Sequence, residues 1–369
     1  MSDPRVKRFA SLLVNYSVKV QPGEKVLLNG TIPTMPLVQE TYREVVRAGG
    51  HPLLMINDDV FNEIMLREGS DEQLEYIPEV MKTIIETYDC MINIRGSNNT
   101  RAFSGVDPQR EKISRTARSA LMGTYMGRAA RGELRWVSTM YPTQAHAQEA
   151  DMSLADYEDF VFQACFVDRE DPVAAWLEVS AMQQKLVDWL KGKDKVVVKG
   201  PNVDLTLSIA GRTFINSDAT HNMPSGEIFT GPVEDSVNGW VKFTYPSIVG
   251  GREVEGIELR FEDGKIVDAT AEKNEEFLHS MINTDPGASF LGEFAVGTNN
   301  GIQRFTKSIL YDEKIGGTIH MAIGRGYPET GSTNISAVHW DMICDMRDGG
   351  KIWVDDELFY DSGKFVILE

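Results

Sequence analysis

His339-Trp340-Asp341 sits inside a strand-like run, Ser336 to Ile343. Side chains alternate across a strand, so residues i and i+2 face one side and an imidazole shares its space with a carboxylate. His320 occupies a second short strand, Thr318 to Ile323. Sheet neighbours could bring it close to that pair. Imidazole nitrogen with carboxylate oxygen suits zinc, cobalt or manganese. The competing explanation for the His-x-Asp pair alone is a histidine hydrogen-bonded to an acid for structural reasons.

Further carboxylates tilt the balance toward metal. Glu227 stands in the stretch His221 to Pro232, whose proline and glycines predict a loop between strands; Glu293 stands in the apolar run Leu291-Gly-Glu-Phe-Ala-Val-Gly297. A single acid in apolar surroundings is costly unless it is paired or bound to a cation. Glu313, in Tyr311-Asp-Glu-Lys314, has polar neighbours that a solvated turn explains. The set exceeds what one tetrahedral metal needs. Two divalent ions about 3.5–4 Å apart, sharing a carboxylate, use such a set and would drive hydrolysis by polarising a carbonyl and acidifying a water. Tyr327, on the glycine-rich loop Gly324 to Gly331, could donate to a developing oxyanion or simply pack beside Pro328. His51, His146 and His279 read as ordinary structural histidines.

The elements that must position these residues change character along the chain. Lys25 to Gly30, Pro52 to Ile56, Cys90 to Ile94 and Leu134 to Met140 are short apolar runs separated by helical patterns, among them one over Ser70 to Tyr88. Such alternation predicts a mostly parallel sheet covered by helices. Helices are expected over Asp151 to Cys165, Pro172 to Lys191 and Lys273 to Ile282. From Lys195 onward the pattern becomes period two, with a hairpin around Glu262-Asp-Gly-Lys265. The expected fold class is α/β, with an N-terminal mostly parallel α/β domain (1–190) and a C-terminal β-rich α+β domain (191–369) that carries the metal site.

Composition narrows the function classes. Lys plus Arg total 37 against 55 Asp plus Glu, a net charge of −18, which argues against nucleic acid and anionic membrane surfaces as partners. No window approaches the ~20 apolar residues of a membrane span. The three cysteines form no Cys-x-x-Cys pair, and MSDPRVKRFA is too charged for a signal peptide, so a cytoplasmic location is expected. Phosphoester chemistry also uses paired metals, but only Arg325 and Arg347 lie near the His320 and Asp341 segments.

Together the segments NMPSGEIFTGP, LGEFAVGTN, IHMAIGRGYPETG and SAVHWDMI, with YPTQAHAQEADMSLADYEDFVFQA in the first half, resemble the two-metal aminopeptidase family of aminopeptidases T, S and II over almost the whole chain. The resemblance implies removal of N-terminal residues from short peptides with a free N-terminus, by a homodimer holding two divalent ions (Zn, Co, Mn or Mg) per chain. It implies Glu227, Glu293, His320, His339 and Asp341 as metal ligands, with Glu293 the bridge, and Tyr327 as the catalytic tyrosine. Glu313 matches a further acidic position, but it stands two residues farther from His320 than the family spacing, leaving it as ligand or base. Glu227 or Glu313 would pass a proton to the leaving amine, and Met223, Phe229 and Phe294 would wall the pocket. Two alternatives remain: an iron-dependent ring-cleaving dioxygenase of related fold, in which a histidine stands in place of Glu293, and a non-catalytic metal- or peptide-binding homologue.

Overall fold

The computed structural model describes residues 3–249 and 251–368. The chain divides into two compact units, Met1–Ala175 with Ala219–Pro224, and Trp176–Asp218 with Ser225–Glu369.

In the first unit four parallel strands, β1 (Lys25–Thr31), β2 (His51–Asn57), β3 (Cys90–Arg95) and β4 (Arg135–Met140), lie in the order β2-β1-β3-β4. Val26, Leu27 and Leu28 are buried in succession, as are Cys90, Met91 and Ile92, because a parallel sheet is covered on both faces. The helix Met35–Arg47 turns Leu37, Val38, Thr41 and Val45 inward at helical spacing. A short strand, Asn222–Met223, returns from later in the chain to pair in parallel with β4.

The expected single helix over Ser70 to Tyr88 is two helices, Asp71–Glu75 and Glu79–Thr87. Pro78 cannot donate its backbone nitrogen and disfavours helical geometry in the residue before it, so the chain leaves the helix at Tyr76. Ser70 and Gln73 cap the first piece reciprocally.

The second unit contains an antiparallel eight-stranded sheet and an antiparallel five-stranded sheet. The larger sheet runs, in spatial order, 265–270, 258–262, 238–242, 203–208, 195–200, 351–354, 357–361 and 364–365, and includes the expected hairpin. The smaller consists of β5 (Glu227–Thr230), β6 (Leu291–Gly297), β7 (Thr318–Gly324) and β8 (His339–Asp345) in the order β8-β7-β6-β5, with Ile215–Ser217 at the edge beside β5. One apolar cluster joins Val198, Leu205, Val241 and Leu259 of the larger sheet to Phe294, Val296, Ile319, Met321, Trp340 and Met342 of the smaller. The helix Glu275–Ile282 adds Leu278 and Ile282. One face of the smaller sheet is thus committed to the core, which leaves the alternate residues to the other face. Among the described residues no helix is long and apolar enough to cross a membrane.

Candidate metal centre

Core-facing Ile319, Met321 and Ile323 alternate along β7 with His320 and Ala322; Trp340, Met342 and Cys344 alternate along β8 with His339, Asp341 and Ile343. The strand begins at His339 rather than Ser336, because Asp285 captures the Ser336 hydroxyl and the Ala337 amide outside the ladder. The His-x-Asp pair shares one face, as strand alternation requires.

Glu293 reaches that face through an irregularity. Leu291, Phe294 and Val296 all belong to the core, a spacing that strict alternation forbids. The register shifts between Leu291 and Glu293, so the bulge at Gly292 turns Glu293 away from the core. Only glycine fits there, since a Cβ would come within 2.4 Å of the carbonyl oxygens of Gly324 and Arg325. Ala322 pairs with both Glu293 and Asp341, and Ala295 with both His320 and Phe229. These small side chains form a low floor over which the acids and imidazoles lean.

Glu227 is the first residue of β5 rather than part of a loop; the loop ends at Gly226, whose φ of +110° and close approach to Asn299 exclude a side chain. Glu313 also departs from expectation. It caps the short helix Ile309–Asp312 and is largely buried, with only 15% of its side chain exposed, in place of a solvated turn.

The distances bring every sequence-derived acid and imidazole into one cluster. His320 Nε2 lies 3.3 Å from Glu227 Oε2 and 3.3 Å from Glu293 Oε1. His339 Nε2 lies 3.4 Å from Glu293 Oε2 and 3.6 Å from Asp341 Oδ1. Three overlapping groups have donor atoms within 4.8 Å of one another: Glu227, Glu293 and His320; Glu293, His339 and Asp341; Glu313, His320 and Asp341. His339 Nδ1 donates to the Arg325 carbonyl at 2.7 Å, which orients the ring and turns Nε2 toward the acids.

Tyr327 stands over the cluster, its ring 5.1 Å from His339 and 5.5 Å from Phe229. Its loop is pinned, since Thr330 donates to the Tyr327 carbonyl and Glu234 accepts from the Thr333 amide, the Ser332 hydroxyl and Arg212. Of the expected pocket wall, Phe229 faces Tyr327, Phe294 turns into the core by strand alternation, and Met223 belongs to the parallel sheet of the first unit.

Lys314 was not visible as a site residue. Its side chain is 0% exposed and its ammonium lies 3.3 Å from Glu227 Oε1 and bonds Glu313 Oε1. Sequence offered little signal, because a lysine after Asp-Glu reads as part of a surface turn.

The electrostatics report an excess of carboxylate. Burial opposes charge on His320, yet its contact with Glu293 and the field of Glu227, Glu293 and Glu313 carry its pKa up to about 9. His339 is likewise raised against burial, by Asp341 and Glu293. Burial pushes Glu313 up to about 7 although Lys314 pulls the other way. Lys314 is raised because Glu227 and Glu313 outweigh burial. Burial first, and then the surrounding acids, hold the Tyr327 hydroxyl protonated.

This donor set fits a divalent cation. It is all nitrogen and oxygen, and one buried atom in it, Glu227 Oε2, has no hydrogen-bond partner. A buried carboxylate oxygen left bare beside an imidazole is what a cation would satisfy.

A mixed α/β chain with this cluster on an antiparallel sheet has the makings of a metal-dependent hydrolase. The chain belongs to the M29 family of thermophilic metalloproteases, whose pattern matches residues 2–365. It is 27% identical over 384 residues to aminopeptidase 2 of Geobacillus stearothermophilus, covering 94% of this chain and 93% of that one. It is 26% identical over 352 residues to aminopeptidase T of Thermus thermophilus, covering 88% and 85%. The solved structure of wild-type AmpT from Thermus thermophilus shares the fold, with a TM-score of 0.87 over 98% of this chain and 99% of that chain at 23% identity. Membership in a metalloprotease family makes the chain a peptide hydrolase that works with divalent metal, and the ring-cleaving alternative is not favoured.

Proposed function

We propose that the chain is an aminopeptidase that removes N-terminal residues from short peptides with two divalent ions, drawn from Zn, Co, Mn and Mg. The observation that supports this most is the placement of Glu293 between two imidazoles, one carboxylate oxygen toward each. Glu227, Glu293 and His320 would hold one ion; Glu293, His339 and Asp341 the other. When bound, such ions supply Lewis acidity toward a peptide carbonyl and lower the pKa of a water.

The remaining steps belong to the side chains. The protonated Tyr327 hydroxyl donates to the carbonyl oxygen as negative charge develops there. Glu313, which belongs to neither of the two groups that share Glu293, is the carboxylate that passes a proton to the leaving amine. The aminopeptidase names of the relatives favour a substrate whose own terminus is an unblocked amine. A homodimer belongs to the same reading through the family resemblance, and a cytoplasmic location through the three free cysteines.

Replacing His320 with Ala and reloading with metal tests the site. Loss of turnover on an unblocked dipeptide is expected, and wild-type turnover would remove the proposed centre.

A further inference from the structure

Among the described residues Lys314 is the only lysine in the buried class. An ammonium out of water demands compensation, and its partners here are Glu227 and Glu313. Both also belong to candidate metal groups, Glu227 with Glu293 and His320, and Glu313 with His320 and Asp341. The third group, Glu293 with His339 and Asp341, has no ion pair to Lys314 among the described residues.

The asymmetry follows from the two oxygens of Glu227. Oε1 is paired with the ammonium, while Oε2 faces His320 and has no hydrogen-bond partner. A cation on Oε2 would therefore share its carboxylate with a fixed positive charge, and charges of one sign repel strongly where water does not screen them. The lysine also engages Glu313, so that acid is less available to a cation beside His320.

We propose that Lys314 is an internal cation that makes the two metal positions unequal. The position built from Glu293, His339 and Asp341 binds tightly, and the position built from Glu227 and His320 binds weakly and exchanges. This rests on the two-ion reading above. Lys314 is a positioning residue in this account: it holds Glu227 and Glu313 and sets the affinity of the neighbouring position without touching substrate. The fully loaded enzyme then forms only where free metal is plentiful, while the tight ion stays with the fold.

The test is a calorimetric titration of the chelator-stripped full chain with Zn2+ alone. Two binding steps are expected, separated by at least about tenfold in Kd. His339→Gln should abolish the tight step and His320→Gln the weak one. Lys314→Met, with folding checked by circular dichroism after metal loading, should tighten the weak step by about tenfold or more and leave the other unmoved. Should Lys314→Met fail to fold, the wild-type and histidine-variant titrations decide the matter. Two ions of equal affinity, or a weak step unchanged in folded Lys314→Met, would overturn this proposal alone. Fewer than two ions bound would overturn it together with the two-ion reading.

Discussion

Oε1 of Glu293 lies 3.3 Å from Nε2 of His320, on the neighbouring strand. That contact exists because the bulge at Gly292 reverses the facing of β6 just before the acid. Gly292→Ala would press a methyl group against two carbonyl oxygens. The variant should lose about 1–3 kcal/mol of stability by overpacking, read from the urea midpoint. Its metal affinity should fall with it, since Glu293 moves with the bulge. Unchanged affinity in a destabilised protein would separate the bulge from the site.

Glu293→Gln keeps the shape of the side chain and removes the charge shared by both metal groups. Metal assistance contributes several kcal/mol to such reactions, so kcat/KM should drop on the order of 10³-fold. Bound metal, measured by mass spectrometry after dialysis, should fall in parallel. Retention of two ions would show that Glu293 is not the shared ligand.

Tyr327→Phe removes only a hydroxyl above the cluster. Its kcat should fall about 10²- to 10³-fold, the usual consequence of deleting one donor to a developing oxyanion. Metal content should stay at the wild-type level, because the tyrosine is outside the three donor groups. A fall in metal content would instead make it a support of the site.

Acid sensitivity should localise in part to Asp285, which sets the start of β8. The Ala337 amide, with the Ser336 hydroxyl and the amides of Gly287 and Ala288, holds its carboxyl below the ordinary value of 3.8. A lowered folded pKa contributes stability that is present above 3.8 and lost as pH falls through the folded value. The difference in urea midpoint between wild type and Asp285→Asn, both with chelator, should shrink as pH falls below 3.8. A difference that does not change with pH would contradict this.

Much of this centre was legible in the sequence because it depends on strand alternation. His339 and Asp341 share a face for that reason, and His320 followed from its own short strand. Glu293 was found from its apolar neighbours, but its facing depends on a bulge that no periodicity announces. Pro224 and Gly226 give Glu227 the pattern of a loop, although the strand begins at Glu227 itself. Polar sequence neighbours give Glu313 the pattern of a surface turn and leave Lys314 without a signal, because the burial of both comes from tertiary packing. The pairing of Asn222–Met223 with β4 is likewise a long-range contact with no local pattern to report it. The parallel sheet of the first unit was plain, because its runs are apolar on both faces.

The proposed carboxylate-rich, two-ion centre is expected to act on peptides with a free amine. It is tested most directly by hydrolysis of one aminoacyl substrate, unblocked and N-acetylated, before and after chelation and with metal restored. The expected result is cleavage of the unblocked substrate alone, abolished by chelator and recovered with two divalent ions per chain. Equal cleavage of both substrates, or cleavage indifferent to chelation, would contradict it.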